Sequence, residues 1–119
     1  MVTLTIGQVI LVPFPFSDLS QSKLRPAVVL ADAGREDWIL CQITSNPYSD
    51  TEAVTLSENS FRQGSLQRTS YARPGKLFTA NRELIVAQVC DLRSEALRQI
   101  IDAVTRIFHR GLKTETNLK

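Results

Sequence analysis

Two short segments of the sequence place polar side chains with useful chemistry beside an apolar run. Arg25-Pro26 opens the run at residues 27–30, and Thr44-Ser45 follows the run at residues 38–43. Proline disfavours helical geometry in the residue before it, so Arg25 is expected in an extended backbone at the start of a strand. A guanidinium held there is a planar cation suited to a phosphate, and the two hydroxyls can hydrogen-bond a phosphate or a ribose. Each dipeptide is also common at an ordinary surface.

A third segment alternates aromatic, basic and proline residues. It contains Tyr71, then Arg73-Pro74, then Lys76. Along an extended backbone, such residues can bind single-stranded nucleic acid through base stacking and phosphate contacts. An edge strand whose charges are simply solvated has the same pattern.

The composition excludes several other kinds of site. The chain has one histidine, His109, and two cysteines, Cys41 and Cys90. A structural zinc site needs four closely spaced Cys or His ligands, so none is expected. Two isolated cysteines make no disulfide framework, and both are expected to be small buried hydrophobic residues. His109 is expected near a helix C-terminus, where its charge is favourable rather than catalytic.

Length and charge predict one small domain in the cytoplasm. The chain has 119 residues, the usual size of one domain. Its net charge of +2 is compatible with an anionic partner but does not by itself indicate one. We expect a single domain over residues 1–112 and a flexible tail over residues 113–119. No apolar run reaches the ~18 residues that span a bilayer, and the N-terminal residues lack the features of a signal peptide.

In the first two thirds of the chain, short apolar runs alternate with polar segments, which is typical of a β protein. Short apolar runs predict strands at 9–12, 26–30, 38–43, 53–56 and 85–89, with further strand signals near Leu66, Tyr71 and Leu77. Polar segments at 17–24 and 44–50 are predicted to be surface loops. Pro13 and Pro15 are expected to leave the sheet or to lie along its edge, because proline cannot donate to a ladder. Many short strands with irregular loops favour a small barrel.

The last third changes to a helical period. Apolar residues recur along one stripe, at Leu97, Ile100, Ile101, Val104 and Phe108. Ser94 is the predicted N-cap, and Gly111 is the predicted C-terminal stop. The sequence therefore predicts an amphipathic C-terminal helix that packs its apolar stripe against the strands.

The order of these motifs resembles the MazF/PemK family of toxins from toxin–antitoxin systems. The resemblance rests on Gly7-Gln8-Val9-Ile10-Leu11-Val12-Pro13-Phe14, on Arg25-Pro26-Ala27-Val28-Val29-Leu30 and on Ile43-Thr44-Ser45. The segment Ser70-Tyr71-Ala72-Arg73-Pro74-Gly75-Lys76-Leu77-Phe78-Thr79 is similar to the PemK-like branch. The likeness covers about residues 6 to 110.

This resemblance implies a mainly β (α+β) fold, a compact SH3-like barrel with a C-terminal helix. It implies a homodimer, an antitoxin whose tail occupies the RNA groove, and sequence-selective cleavage of single-stranded RNA without a metal or cofactor. The RNA's own 2′-OH would attack the adjacent phosphorus. Matching the family's motifs makes Arg25 and Thr44 the expected catalytic residues. The expected RNA-binding residues are Ser17, Lys23, Ser45 and Arg73.

The sequence departs from the family pattern at three places. Gln8 stands where an acidic residue is usual, residues 71–73 contain no carboxylate, and residues 17–24 contain no histidine. The general base is therefore unassigned. Two other functions stay open at this point: a non-catalytic SH3-like module that binds RNA or protein, and a related toxin that acts on DNA gyrase.

Overall fold

Apolar runs of the sequence form strands, and most of these strands extend beyond the runs themselves. The computed structural model describes residues 3–15 and 22–117. The strands are β1 (Gln8–Pro15), β2 (Ser22–Gly34), β3 (Asp37–Thr44), β4 (Val54–Leu56), β5 (Phe61–Gln63), β6 (Ser70–Asn81) and β7 (Ala87–Leu92). The helix α1 spans Ser94–Asn117, and short 3₁₀ turns lie at Glu58–Ser60 and Arg82–Leu84.

The described strands form one antiparallel sheet that curls into a nearly closed barrel. Their order is β4-β6-β3-β2-β1-β7-β5, and every neighbouring pair is antiparallel. The helix α1 packs against β4, β6 and β7. The predicted fold class, mainly β with a C-terminal helix, is confirmed. No helix in the described part of the chain is both long and apolar enough to cross a membrane.

The central strands are buried on both faces, which explains their uninterrupted apolar runs. In β2, Val28 and Leu30 belong to the core that also contains Ile100 of α1. Their neighbours Ala27 and Val29 point the other way, into a second core. Successive side chains of a strand face opposite sides, so a strand between two cores has no polar face.

Among the described strands, the two prolines of β1 have a neighbour on one side only, which is the edge position predicted from the sequence. Pro13 and Pro15 pair with β2 on one side, opposite Leu24 and Ser22. On the other side, the pairing of β1 with β7 reaches only as far as Leu11. A residue without an N–H costs nothing where no neighbouring strand needs that donor.

Two predictions about strands and loops were wrong. Residues 22–24, predicted to be loop, form the start of β2, because they pair with the proline-containing end of β1. The brief strand predicted near Leu66 lies earlier, at β5. Gly64 follows β5 with a φ of +72°, and a Cβ there would come within 2.9 Å of the Cys90 Cβ. The left-handed glycine ends the strand before Leu66.

The helix differs from its prediction at three positions. Ile101 and Phe108 were expected on the buried stripe but are 39% and 62% exposed, whereas Ala96, Ile100 and Ala103 are buried. The buried face of α1 continues to Val104 and Ile107, which are half-buried, and Phe108 lies outside that face. The predicted stop at Gly111 was also wrong, because α1 continues to Asn117. Glycine ends a helix when it adopts the left-handed conformation, which Gly111 does not adopt.

Candidate functional site

The register between β2 and β3 brings the two polar dipeptides together. Ala27 pairs with Gln42, and Val28 pairs with Cys41. This pairing ends two residues from Arg25 on β2 and two residues from Thr44 on β3, so both residues lie just beyond it at the same end of the two strands. Neighbouring strands lie about 4.8 Å apart. The start of β2 and the end of β3 therefore present their polar residues at one end of the barrel.

An open groove of about 420 Å³ lies at this end. It is lined by residues from the two strand ends and from the segment that leads into β6: Lys23, Leu24, Arg25, Pro26, Ile43, Thr44, Ser45, Leu66, Gln67, Arg68 and Ser70. Three of these described lining residues, Lys23, Arg25 and Arg68, are cations, and none is a carboxylate or a histidine. Three cationic side chains in one groove suit an anionic ligand.

Arg25 is the cation that lies deepest in the groove. It is partly buried, whereas Lys23 and Arg68 are exposed, and its Nε is shielded from solvent. A charge that is less surrounded by water interacts more strongly with a nearby opposite charge. Among the three cations, Arg25 is therefore best placed to stabilise charge on a phosphoryl group.

The hydroxyl of Thr44 is already part of a turn. Thr44 is only 6% exposed. Its Oγ1 donates to the Asn46 carbonyl oxygen and accepts from the Asn46 N–H, both at 3.1 Å. A hydroxyl has one proton and two lone pairs, so one lone pair remains for a ligand. Thr44 can accept a hydrogen bond from a ribose hydroxyl without breaking the turn. The exposed Ser45 beside it carries a hydroxyl that can donate to a phosphate oxygen.

Arg73 does not line this groove, although it was predicted to bind RNA. Its Nε donates to Asp50 Oδ2 at 3.0 Å, and its guanidinium carbon lies 5.9 Å from the centre of the Tyr48 ring. The hydrogen bond from Arg73 holds the pKa of Asp50 below its ordinary value. The structure thus brings together Lys23, Arg25, Thr44 and Ser45 and places Arg73 elsewhere. Ser17 lies outside the described residues.

No motif of the sequence points to the wall of the groove formed by Gln67, Arg68 and Ser70. The Ser70 hydroxyl donates to the Arg68 carbonyl oxygen at 3.1 Å, which fixes the backbone of this wall. A cation in a polar segment is an ordinary surface feature, so the sequence contains no local signal for it. The segment reaches the groove because β6 pairs with β3, with Tyr71 opposite Thr44.

The cysteines have the role predicted from the sequence. Cys41 and Cys90 are both buried and unbridged. Burial raises the pKa of the Cys41 thiol to about 12 and that of the Cys90 thiol to about 11, so neither is a reactive thiolate at neutral pH. Within residues 3–15 and 22–117, no group of three or more His, Cys, Asp or Glu side chains is arranged to hold a metal ion.

A comparison with protein-family models supplies the observation that decides the family. The model of the PemK-like, MazF-like toxins of type II toxin–antitoxin systems matches residues 5–108. The chain belongs to this family. The resemblance that the motifs indicated is confirmed. No curated protein sequence matches the chain significantly.

Solved structures of MazF toxins have a similar fold. The MazE–MazF complex (Form-II) from Deinococcus radiodurans has a TM-score of 0.74 and 16% identity, over 92% of this chain and 98% of the other. MazF (Form-I) from the same organism has a TM-score of 0.72 and 17% identity, over 92% and 99%. An endoribonuclease in complex with its cognate antitoxin from a Mycobacterial species has a TM-score of 0.68 and 13% identity, over 92% and 96%. In this PemK-like, MazF-like chain, the cationic groove is the candidate functional site.

Proposed function

We propose that this toxin-family protein is an endoribonuclease that cuts single-stranded RNA at selected sequences in the cytoplasm, without a metal ion. The proposal is carried by one observation: Arg25 and Thr44 lie on adjacent strand ends in a groove whose described lining has three cations and no carboxylate. Such a groove suits a polyanion. Its guanidinium and hydroxyl groups suit a substrate that brings its own nucleophile.

The proposed chemistry uses the RNA's 2′-OH. Its oxygen forms a bond to the adjacent phosphorus while the bond from phosphorus to the 5′ oxygen of the next nucleotide breaks. Solvent water takes the 2′-OH proton and supplies one to the departing 5′ oxygen. Charge grows on the phosphoryl oxygens, where Arg25 stabilises it. The remaining lone pair of Thr44 Oγ1 accepts the hydrogen bond of the 2′-OH and orients the attack. The described lining residues include no carboxylate or imidazole as a general base, so their contribution is charge stabilisation and orientation.

The exposed residues of the groove bind the phosphates that flank the cleaved bond. Lys23 and Arg68 supply two further cations, and Ser45 supplies a hydroxyl donor. Arg68 joins the RNA-binding residues expected from the sequence. Ser17 stays a prediction.

The direct test is cleavage of single-stranded RNA in excess EDTA. We expect the wild type to cut and Arg25→Ala to lose about 10²–10³ in rate, the usual effect of removing a donor that stabilises transition-state charge. Arg62→Ala is the matched control, because Arg62 is 71% exposed and lies on β5, outside the groove. Equal rates for wild type and Arg25→Ala contradict the proposal. Tight RNA binding by a folded wild type that does not cut indicates a binding module instead.

The role of Thr44 is tested by two substitutions of similar size. Thr44→Ser keeps the oxygen that bonds Asn46 and the ribose, so we expect cleavage within a few-fold of the wild type. Thr44→Val removes that oxygen and is expected to reduce kcat by at least ten-fold. Equal activity of Thr44→Val and Thr44→Ser assigns orientation of the 2′-OH to another group.

Two partners belong to the proposal. A groove with three cations also suits an acidic peptide, which supports an antitoxin segment that competes with RNA. A second copy of the chain would cover exposed apolar side chains such as Leu84 and Val86, which supports a homodimer. A small acidic protein encoded beside this gene is expected to block RNA binding in a competition assay. Sedimentation is expected to give a mass of twice 13.3 kDa.

A further inference from the structure

The segment that follows Thr44 is a chain of short turns closed by polar side chains. After the turn at Thr44, the Asn46 side chain accepts a hydrogen bond from the Tyr48 N–H at 3.0 Å. The Asp50 side chain accepts one from the Glu52 N–H at 2.9 Å. We name residues 45–53 the β3–β4 loop. Tyr48 and Ser49 have positive φ values there, a conformation that costs free energy in residues other than glycine.

One ion pair ties this loop to the neighbouring strand β6. Arg73 Nε donates to Asp50 Oδ2 at 3.0 Å, and the two side chains are only 19% and 16% exposed. The Arg73 backbone is held in turn, because Cys41 Sγ of β3 donates to the Arg73 carbonyl oxygen at 3.2 Å. Breaking a largely buried ion pair by removing one partner leaves an uncompensated charge, so this contact strongly restrains the loop.

A second contact to the loop is weaker. Glu52 lies 3.4 Å from both Arg106 and Arg110 of α1. Both of these arginine side chains are 62% exposed, and exposed ion pairs contribute little to stability. Asp50–Arg73 is therefore the principal polar anchor of the loop among the described residues.

We infer that Arg73 and Asp50 are positioning residues, which hold the β3–β4 loop so that Thr44 and Ser45 keep their geometry in the groove. The inference deepens the proposed ribonuclease function and rests on it. The rival interpretation is the one expected from the sequence, in which Arg73 contacts RNA itself. Three observations favour positioning: Arg73 is mostly buried, its Nε is bonded to Asp50, and it does not line the groove.

The path from the ion pair to the site is short and continuous. The Asp50 N–H donates to the Pro47 carbonyl oxygen at 2.9 Å. Pro47 follows Asn46, whose N–H and carbonyl oxygen both bond Thr44 Oγ1. A loop released at Asp50 is free to reorient Asn46 and hence the Thr44 hydroxyl. Small misplacements of a reacting or orienting group reduce rate by up to about 100-fold.

The test is a double-mutant cycle with Asp50→Asn, Arg73→Gln and the double variant, measured by single-turnover RNA cleavage. We expect each single variant to lower kcat by on the order of ten- to a hundred-fold. The double variant should be no slower than the slower single, because both remove one interaction. Arg73→Lys keeps a cation for Asp50 and should recover part of the rate. Binding of an RNA with a 2′-deoxy nucleotide at the cleavage site should stay within two-fold of wild type.

Arg82→Gln is the matched control. Arg82 is paired with Glu36 at 3.4 Å. Glu36 lies in the turn before β3, so this pair is at the opposite end of β3 from Thr44. Its substitution should leave kcat unchanged. Additive losses in the cycle overturn the inference. The inference is also overturned if Asp50→Asn keeps wild-type kcat while Arg73→Gln binds the 2′-deoxy RNA more weakly. That result would indicate that Arg73 contacts RNA directly.

A readout that needs no activity separates this inference from the proposed function. Amide hydrogen exchange at Asn46, Tyr48 and Asp50 should become faster in Asp50→Asn and Arg73→Gln but not in Arg82→Gln. If the wild type does not cut RNA, the proposed function fails, and faster exchange still supports an anchored loop. Unchanged exchange in both variants overturns the inference whether or not the wild type cuts RNA.

Discussion

A single side chain in this protein often serves both the fold and the candidate site. Thr44 Oγ1 closes the turn to Asn46 and keeps one lone pair for a ligand. Arg25 lies partly buried beside it, which strengthens the field of its charge. Arg73 has the residue type of an RNA contact but is bonded to Asp50. At this scale, the chemistry of a residue depends on which of its hydrogen-bonding atoms the fold has already used.

The Asp50–Arg73 pair predicts a specific dependence of stability on pH. The hydrogen bond from Arg73 lowers the pKa of Asp50 most, and the Glu52 N–H and the charges of Arg73 and Lys76 lower it further. A carboxyl whose pKa is lower in the folded state than in the unfolded state stabilises the fold when it is ionised. This stabilisation is complete above the unfolded-state pKa of about 3.9 and is lost as pH falls through the folded-state pKa. In urea unfolding, the wild type should exceed Asp50→Asn by a constant free energy from neutral pH down to about pH 5, and the difference should shrink below about pH 4. A difference that shrinks already between pH 7 and pH 5 contradicts the assignment.

At the scale of elements, the periodicity of the sequence predicted the type of each element better than it predicted which of its residues are buried. The helical stripe was correct in kind, yet α1 buries Ala96, Ile100 and Ala103 while Phe108 is exposed. Which apolar residues of α1 are buried depends on how the barrel meets the helix, and the period of the helix alone does not encode that contact. Among the strands, the two cores on either side of β2 explain why its apolar run is continuous.

Two adjacent isoleucines of α1 test this account of the helix. Ile100 is fully buried, whereas Ile101 is 39% exposed. Ile100→Ala should reduce the free energy of unfolding by about 2–5 kcal/mol, because it leaves a cavity under the helix. Ile101→Ala should cost less than about 1 kcal/mol. Chemical denaturation measures both, and equal losses would show that α1 packs with a different face against the barrel.

At the scale of the whole molecule, the charged residues are distributed less evenly than the net charge of +2 suggests. Several arginines outside the groove are neutralised locally by carboxylates: Arg62 by Asp91, Arg73 by Asp50, Arg82 by Glu36, and Arg106 and Arg110 by Glu52. The described groove lining gathers three cations and no carboxylate. A nearly neutral chain can therefore concentrate cationic residues at one end of the barrel.

This arrangement predicts a modest dependence of RNA binding on salt. If Lys23, Arg25 and Arg68 neutralise about three phosphates of a single strand, the logarithm of the binding constant should fall with the logarithm of salt concentration with a slope of about −2. Titrations of a 2′-deoxy-substituted RNA at several salt concentrations measure the slope. Arg68→Ala should make it shallower by about 0.7. A slope near zero, or one steeper than about −5, would place the RNA on another surface.

The sequence by itself determined the element types, the C-terminal helix, the burial of both cysteines and the two dipeptides of the site. Each of these depends on local chemistry, such as the restriction that Pro26 imposes on Arg25 or the period of the apolar residues in α1. The tertiary structure alone decided that Arg25, Thr44 and Arg68 line one groove and that Arg73 is bonded to Asp50. These contacts join residues far apart in the chain, and they depend on strand register and on the pairing of β6 with β3, which no local pattern contains.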